Sequence, residues 1–437
     1  MALSLGGCST ISNWFSANTD KGDAPTIQTR YLGSVAADEP TAVGAGDNSL
    51  RQNGNAADAA AAMALTLSVT LPSRAGLMGG GVCLVRDVES ADIEAIEFLP
   101  QSVPGSSVEI PGLVRGIAAL QARYGKMDWR QVVVGVERAA LNGVPVAAQL
   151  TADAAAAGVP LPPGPQHAEP ALAAVFSQLR LNGASDFYVG DLARQLVASG
   201  VPAQALASYA PTWRPAVRIT SAHDYIYFAP GLGGRAAAGA YGALNAAGDT
   251  ATADSAARFQ IARDGAAAAL AKAIPGATVQ ADQPSGSTGF VAADAAGRTV
   301  SCSLTMGTLF GTRQTLAAPV LYAASPIAGN AAAQLGVVPV IVYNGNNNQV
   351  LGALAGSGGT SAPADVAAAA FGSFRLGIGA QKAVAAMRRP DDTGPTAVPD
   401  RVAELHCPGG LVRDAKSCAI AKDPRGWGFS QTVDLVR

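Results

Sequence analysis

The sequence predicts an α/β protein, on three observations. Short apolar runs recur at 82–86, 93–98, 290–293 and 299–304 and on both sides of 344–349, the length and character of buried strands. Alanine runs within 56–62 and 367–370 favour helix and allow close packing against a sheet. With 437 residues, 49% hydrophobic and 14% charged, the chain can bury a large core, and its hydrophobicity is dispersed rather than gathered into a membrane-spanning run.

Taken in order, the alanine run within 56–62 suits a helix packed on a sheet, and the strands 82–86 and 93–98 follow. Residues 150–280 carry no clear period, and Pro-rich 159–165 and Gly-rich 230–242 read as surface loops. Residues 286–294 and 299–305 form a strand pair. Two apolar strands, 337–343 and 350–354, flank Asn344-Gly345-Asn346-Asn347-Asn348-Gln349, a hairpin signal. Gly356-Ser357-Gly358-Gly359 follows, and a helical pattern begins near Ala362. A formal charge of −2 without a Lys/Arg-rich stripe argues against a nucleic-acid partner. Gly231-Leu232-Gly233 is too short a fingerprint to use, and no metal or organic cofactor is implied.

Gly286-Ser287-Thr288-Gly289-Phe290 is the segment with most chemical content. The Ser287 hydroxyl can attack the unobstructed Gly286 carbonyl, move the acyl group from nitrogen to oxygen, and leave a chain beginning at Ser287 once water cleaves the ester. That terminus carries nucleophile and base together, because a free α-amine has a pKa of roughly 7.7–8.0. No histidine is needed, and His167, His223 and His406 sit in no Ser/His/Asp signature. The alternative reading is a tight glycine turn entering a strand.

Further segments carry a resemblance. Asn53-Gly54-Asn55-Ala56-Ala57-Asp58-Ala59-Ala60, Ile110-Pro111-Gly112, Tyr124-Gly125, Asn142-Gly143-Val144-Pro145-Val146, the Ser287 segment with Ser303-Leu304-Thr305, and Gly356-Ser357-Gly358-Gly359 follow the order of markers in the γ-glutamyltransferase (glutathione hydrolase) family of N-terminal-nucleophile hydrolases. The resemblance implies two stacked antiparallel sheets flanked by helices, an α/β/β/α sandwich. It implies self-cleavage at Gly286-Ser287, with 29–286 as large subunit and 287–437 as small subunit, folded as one domain over 29–437. Aligning Phe290 and Asp294 with the family pattern puts Ser287 at the nucleophile and Thr305 at the supporting threonine; Thr288 would instead bring Met306 to that place. Backbone N–H groups of Gly358 and Gly359 are the candidate oxyanion hole.

The sequence departs from the family at substrate recognition. Leu99 stands where an arginine clamps the substrate carboxylate, and Gly307 where an asparagine is usual. The paired serines fall at Tyr322 and Ala323, before a retained Ser325-Pro326. Arg313 is the nearest cation for another anionic substrate, with a solvated loop arginine as the alternative. Acyl-transfer chemistry on a small-molecule or peptide amide other than glutathione is the expectation; a γ-glutamyl substrate with rearranged contacts and a non-catalytic envelope protein are the alternatives.

Leu5-Gly6-Gly7-Cys8 resembles a bacterial lipobox, so residues 1–8 are expected to be a signal-peptide remnant, Cys8 a lipidation site and 9–28 a polar tether. This implies a lipid anchor on a membrane surface in the periplasmic envelope. Cys407 and Cys418 suit a local disulfide in an oxidising compartment, a metal site with His406 being the weaker alternative. Cys83 and Cys302, in apolar strand patterns, are expected as buried thiols, with a mutual bridge left open.

Overall fold

The computed structural model describes residues 29–90, 92–248, 254–275, 284–317, 321–387 and 401–436. Cys8 and the 9–28 tether lie outside the described residues. The apolar runs pair into two main sheets. The first contains β1 (Thr29–Ala37), β2 (Gly80–Arg86), β3 (Ile93–Glu97), β4 (Thr212–Pro215), β7 (Gly286–Asp294), β8 (Thr299–Gly307) and β13 (Phe429–Val436) in the order β13-β1-β7-β8-β2-β3-β4. The second contains β5 (Val217–Ser221), β6 (Asp224–Phe228), β9 (Val337–Asn344), β10 (Gln349–Ser357), β11 (Arg401–His406) and β12 (Ala419–Ala421) in the order β12-β11-β10-β9-β6-β5. All strand pairs in both sheets are antiparallel.

The facing sides meet through Val82, Leu84, Val291, Ala293, Ile341, Ala353, Ala403 and Leu405. Helices cover the outer sides. On the first sheet lie α1 (Pro40–Arg51), α2 (Ala56–Thr70), α3 (Pro72–Ala75), α4 (Leu113–Tyr124), α5 (Trp129–Asn142) and α6 (Ala148–Ala157). On the second lie α7 (Leu232–Ala247), α8 (Ser255–Ala273) and α9 (Ala362–Ala370). The result is the α/β/β/α sandwich. Both faces of β7 and β8 are buried, which explains their near-continuous apolar reading.

The Asn55–Asp58 motif has a structural explanation. Asn55 caps α2 and Asp58 completes a capping box; the Asp58 carboxylate also accepts from the N–H groups of Lys126 and Met127. Every residue of α2 is buried, so alanine is used where helix and sheet approach most closely. Asp294 Oδ2 accepts from the Ala56 N–H at 3.0 Å, tying the start of α2 to the end of β7.

Two expectations need correction. The Gly-rich 230–242 stretch is not a surface loop: most of it lies in α7, where Gly233, Gly234, Ala236, Ala237, Ala240 and Tyr241 are buried. Small residues there permit the α7–α8 approach, since a Cβ at Gly239 would come within 2.4 Å of the Ala269 Cβ. Cys83 and Cys302 are not thiols but form a disulfide, as do Cys407 and Cys418. Cys83 faces Cys302 directly in the β2–β8 ladder, a register that the two isolated strand patterns do not reveal.

Candidate active site

Ser287 lies at the start of β7 and is fully buried. Its Oγ accepts from the Gly358 N–H at 2.8 Å and lies 2.9 Å from Ser285 Oγ. Across the ladder Thr305 of β8 pairs with Ser287. Its hydroxyl donates not to Ser287 but to the Gly286 carbonyl oxygen at 3.1 Å, while accepting from the Gly307 N–H at 2.9 Å. The relay from Gly307 through Thr305 to Gly286 polarises the one carbonyl that precedes Ser287.

Second-sheet elements bring the glycine donor into place. The Ser303 hydroxyl of β8 donates across the layer to the Gly356 carbonyl of β10 at 2.7 Å and accepts from the Val338 N–H at 3.2 Å. This holds the end of β10, and with it Gly358, over Ser287. Gly358 has φ of 129°, a conformation open to glycine. Gly359 forms an isolated bridge with Pro284, and the Ser285 N–H donates to the Gly358 carbonyl. Residues 284–286 therefore run against the Gly358-Gly359 backbone beside Ser287. Gly336 leaves room for both serines, since a Cβ there would lie 2.3 Å from Ser285 Oγ and 2.9 Å from Ser287 Oγ.

Charged groups that the sequence reading did not select surround this centre. The Arg74 Nη1 donates to the Ser287 carbonyl at 2.9 Å, while its Nε and Nη2 grip Asp153 of α6 at 2.6 and 2.8 Å. Ser73 and Gln149 also donate to Asp153, at 2.7 and 2.6 Å, and neither member of the ion pair has exposed side-chain surface. Burial alone would raise the Asp153 carboxyl, but the Arg74 charge and these hydrogen bonds more than offset it and hold it below the ordinary carboxylate value. Asp38, just after β1, accepts from the Thr288 hydroxyl at 2.8 Å, the Gly289 N–H at 3.2 Å and the Ser357 hydroxyl at 3.2 Å. Thr288 is thus committed to Asp38 rather than to the Gly286 carbonyl.

Arg401 pairs in register with Ser357 and shares the face of β11 that carries Ala403 and Leu405. Its guanidinium nitrogens have no hydrogen-bond partner among the described residues. Burial, reinforced by Arg74 and opposed by Asp38, Asp153 and Asp423, pulls its pKa down to about 10. One signal for Arg74 was available: it is the sole charged residue between Asp58 and Arg86, and a lone charge in an apolar run must find a partner if buried. Asp38, Asp153 and Arg401 have no comparable local signature.

The substrate-binding candidates divide. Ser325 Oγ accepts from the Thr308 N–H at 2.9 Å and donates to the Met306 carbonyl at 3.2 Å, bracing the turn after Thr305. At Gly307, φ is 83° and a Cβ would lie 2.2 Å from Ser325 Oγ, so an asparagine at this position would be strained. Tyr322 packs edge-on against Phe310 with centroids 5.1 Å apart and lines a cavity of about 40 Å³ with His167, Glu169, Pro72 and Gly76. Arg313 is exposed, with φ of 63°. Leu99 packs against the inter-sheet core. Among the described residues no cluster of His, Cys, Asp and Glu could hold a metal ion.

The two stacked antiparallel sheets with helices on both outer sides are the fold of the N-terminal-nucleophile hydrolases. The structure of cephalosporin acylase from Bacillus halodurans matches it with a TM-score of 0.73 at 17% identity, covering 96% of this chain and 99% of that one; at that identity the likeness is one of fold. A family model described as Gamma-glutamyltranspeptidase matches residues 42–246. Glutathione hydrolase 7 of Bos taurus is 30% identical over 200 residues, 38% of this chain and 30% of that protein. The Bacillus subtilis glutathione hydrolase proenzyme is 27% identical over 203 residues, 38% of this chain and 35% of that protein. Residues 42–246 are thus similar to the γ-glutamyltranspeptidase family, over somewhat less than half of the chain. These relatives are matched over about a third of their length, and the family match ends before Ser287.

Proposed function

We propose that the protein is a self-processing amidohydrolase or acyltransferase that cleaves Gly286-Ser287 and then uses Ser287 as an N-terminal nucleophile. The observation that carries this reading is the Thr305 hydroxyl on the Gly286 carbonyl, with the Gly358 N–H on the Ser287 hydroxyl. In the first reaction Ser287 Oγ bonds to the Gly286 carbonyl carbon and the C–N bond breaks. The nitrogen takes up the hydroxyl proton, and water hydrolyses the ester to a Gly286 carboxylate. Displacement of 284–286, which pair with Gly358 and Gly359, frees that backbone for an incoming amide. The freed α-amine then accepts the Ser287 proton as a second acyl group is attacked, and each oxyanion donor is worth ~3 kcal/mol.

The acyl donor in this reading is an amide other than glutathione. Leu99 offers no charge to a carboxylate, and a guanidinium clamp has no apolar substitute. Retention of a γ-glutamyl substrate is the second reading, favoured by relatives whose printed names are glutathione hydrolases. Location in the cell envelope, with a lipid on Cys8, belongs to the proposal and is supported by the lipobox-like start and the two disulfides.

The test is intact mass and N-terminal sequencing, under reducing conditions, of wild type beside Ser287→Ala. Two chains from wild type, the second beginning at Ser287, with an uncut variant, establish the nucleophile. Two uncut, folded proteins sink the proposal and favour a non-catalytic role.

A further inference from the structure

The Gly286-Ser287 bond lies between the two halves of one disulfide. Cys83 is on β2, N-terminal to the cut, and Cys302 is on β8, C-terminal to it; 219 positions separate them and their Cα atoms are 4.1 Å apart. Cys407–Cys418 lies wholly on the C-terminal side. We infer that processing yields a covalent heterodimer, with the 287–437 chain tethered to the preceding chain through Cys83–Cys302. The inference rests on the cleavage proposed above.

The position of the bond makes the tether a support for the site. β8 runs between β7 and β2, with Cys302 opposite Cys83 on one side and Phe290 on the other. Three residues further along β8, Thr305 faces Gly80 and Ser287. Cleavage removes the peptide link at the head of β7, the strand bearing the nucleophile. The disulfide, in the next strand, continues to fix the register between the N-terminal half and the strand that carries Thr305. It also makes separation of the chains a reversible, intramolecular event, since a tether keeps the partner at an effective concentration in the millimolar range. The sandwich already interleaves strands of both segments, with β1 and β2 flanking β7 and β8, so folded chains stay associated without it. Its effect is expected where packing is weakened. Both cysteines are fully buried, so a reductant reaches the bond only when the strands open.

Electrophoresis in denaturant, with and without dithiothreitol, tests this directly; the dithiol supplies the two electrons and two protons that convert the bond to two thiols. Processed wild type is expected as one species without reductant and two with it. Ser287→Ala is expected as one species in both lanes, and the Cys83→Ser/Cys302→Ser pair as two in both. Two species from unreduced wild type overturn the inference while leaving the cleavage intact. One species from reduced wild type overturns the cleavage itself and the tether with it. Should the serine pair fail to fold, mass mapping of unreduced, processed wild type decides the question: a linked Cys83–Cys302 peptide supports the tether, and alkylation of both as free thiols refutes it. A second readout is recovery from urea, in which processed wild type regains its two-sheet structure independently of protein concentration and the serine pair does so in proportion to it.

Discussion

Replacing Arg74 with methionine removes three things at once: the bidentate grip on Asp153, the positive charge that compensates it, and the donor on the Ser287 carbonyl. Asp153 would remain in an environment with no exposed side-chain surface, and stranding one member of a buried ion pair costs about 3–5 kcal/mol. The wild-type carboxyl is held below its ordinary value, so its contribution is present above the unfolded carboxylate range and fades as pH falls through it. The stability gap between wild type and Arg74→Met is therefore expected to be widest near neutral pH and to narrow in acid, as the stranded Asp153 takes up a proton. Adding Asp153→Asn removes the stranded charge and should recover most of the loss. Cleavage should not recover, because the Ser287 carbonyl still lacks its anchor; misplacement of a reacting group by about an ångström costs on the order of 100-fold. Urea denaturation of the single and double variants, each also carrying Ser287→Ala to keep the chains uncut, gives the first quantity. The time course of fragment appearance in the otherwise wild-type background gives the second. A double variant that cleaves at the wild-type rate refutes a positioning role for Arg74 and leaves it a purely structural partner of Asp153.

Thr305→Val keeps the volume but removes the donor to Gly286, and by analogy with a lost oxyanion donor it should slow fragment appearance ~100-fold or more while the chain still folds. Gly336→Ala places a methyl group within 2.3 Å of Ser285 Oγ and 2.9 Å of Ser287 Oγ, so a folded but poorly processed protein is expected; normal processing would show that the two serines tolerate displacement. Glu404, buried on β11, has its carboxyl raised by burial from an ordinary 4.5 to about 8. The folded state then holds a proton that the unfolded chain has lost, so wild-type stability should fall as pH rises from 4.5 towards 8. Glu404→Gln should be more stable than wild type by up to ~3 kcal/mol at pH 7 and nearly equal to it at pH 4, as read by thermal melts across that range. A pH-independent difference would show that Glu404 has a partner for its charge.

The readable parts of this chain are those in which local pattern and tertiary role coincide. β7, β8 and the β9–β10 hairpin are buried on both faces, so their apolar runs announce themselves, and the Asn55–Asp58 cap is a short-range hydrogen-bond motif. The resemblance, through the alignment of Phe290 and Asp294, set Thr305 against Ser287, and the two residues are paired in the ladder. Strands at sheet margins were harder. β5 mixes exposed with half-buried positions, β6 half-buried with buried ones, and β13 mixes polar with apolar residues. α7 was obscured by glycines that are there for helix contact rather than for turning.

Sequence alone determined the α/β character, the alanine-rich helices, the order of family markers, whose resemblance implied the stacked sheets, and the serine placed after an unobstructed glycine. Tertiary structure decided what surrounds that serine. Asp38, Arg74, Asp153, Gly336 and Gly358 converge from six segments distant along the chain, counting β7 itself, and no local period records such a meeting. It decided that the Thr305 hydroxyl serves the Gly286 carbonyl in the uncut chain, and that Cys83 and Cys302 are partners. Local patterns report which face of a strand is apolar, because burial acts on each side chain where it stands. Hydrogen bonds and disulfides act between two atoms in space, and their partners are chosen only when the sheets stack.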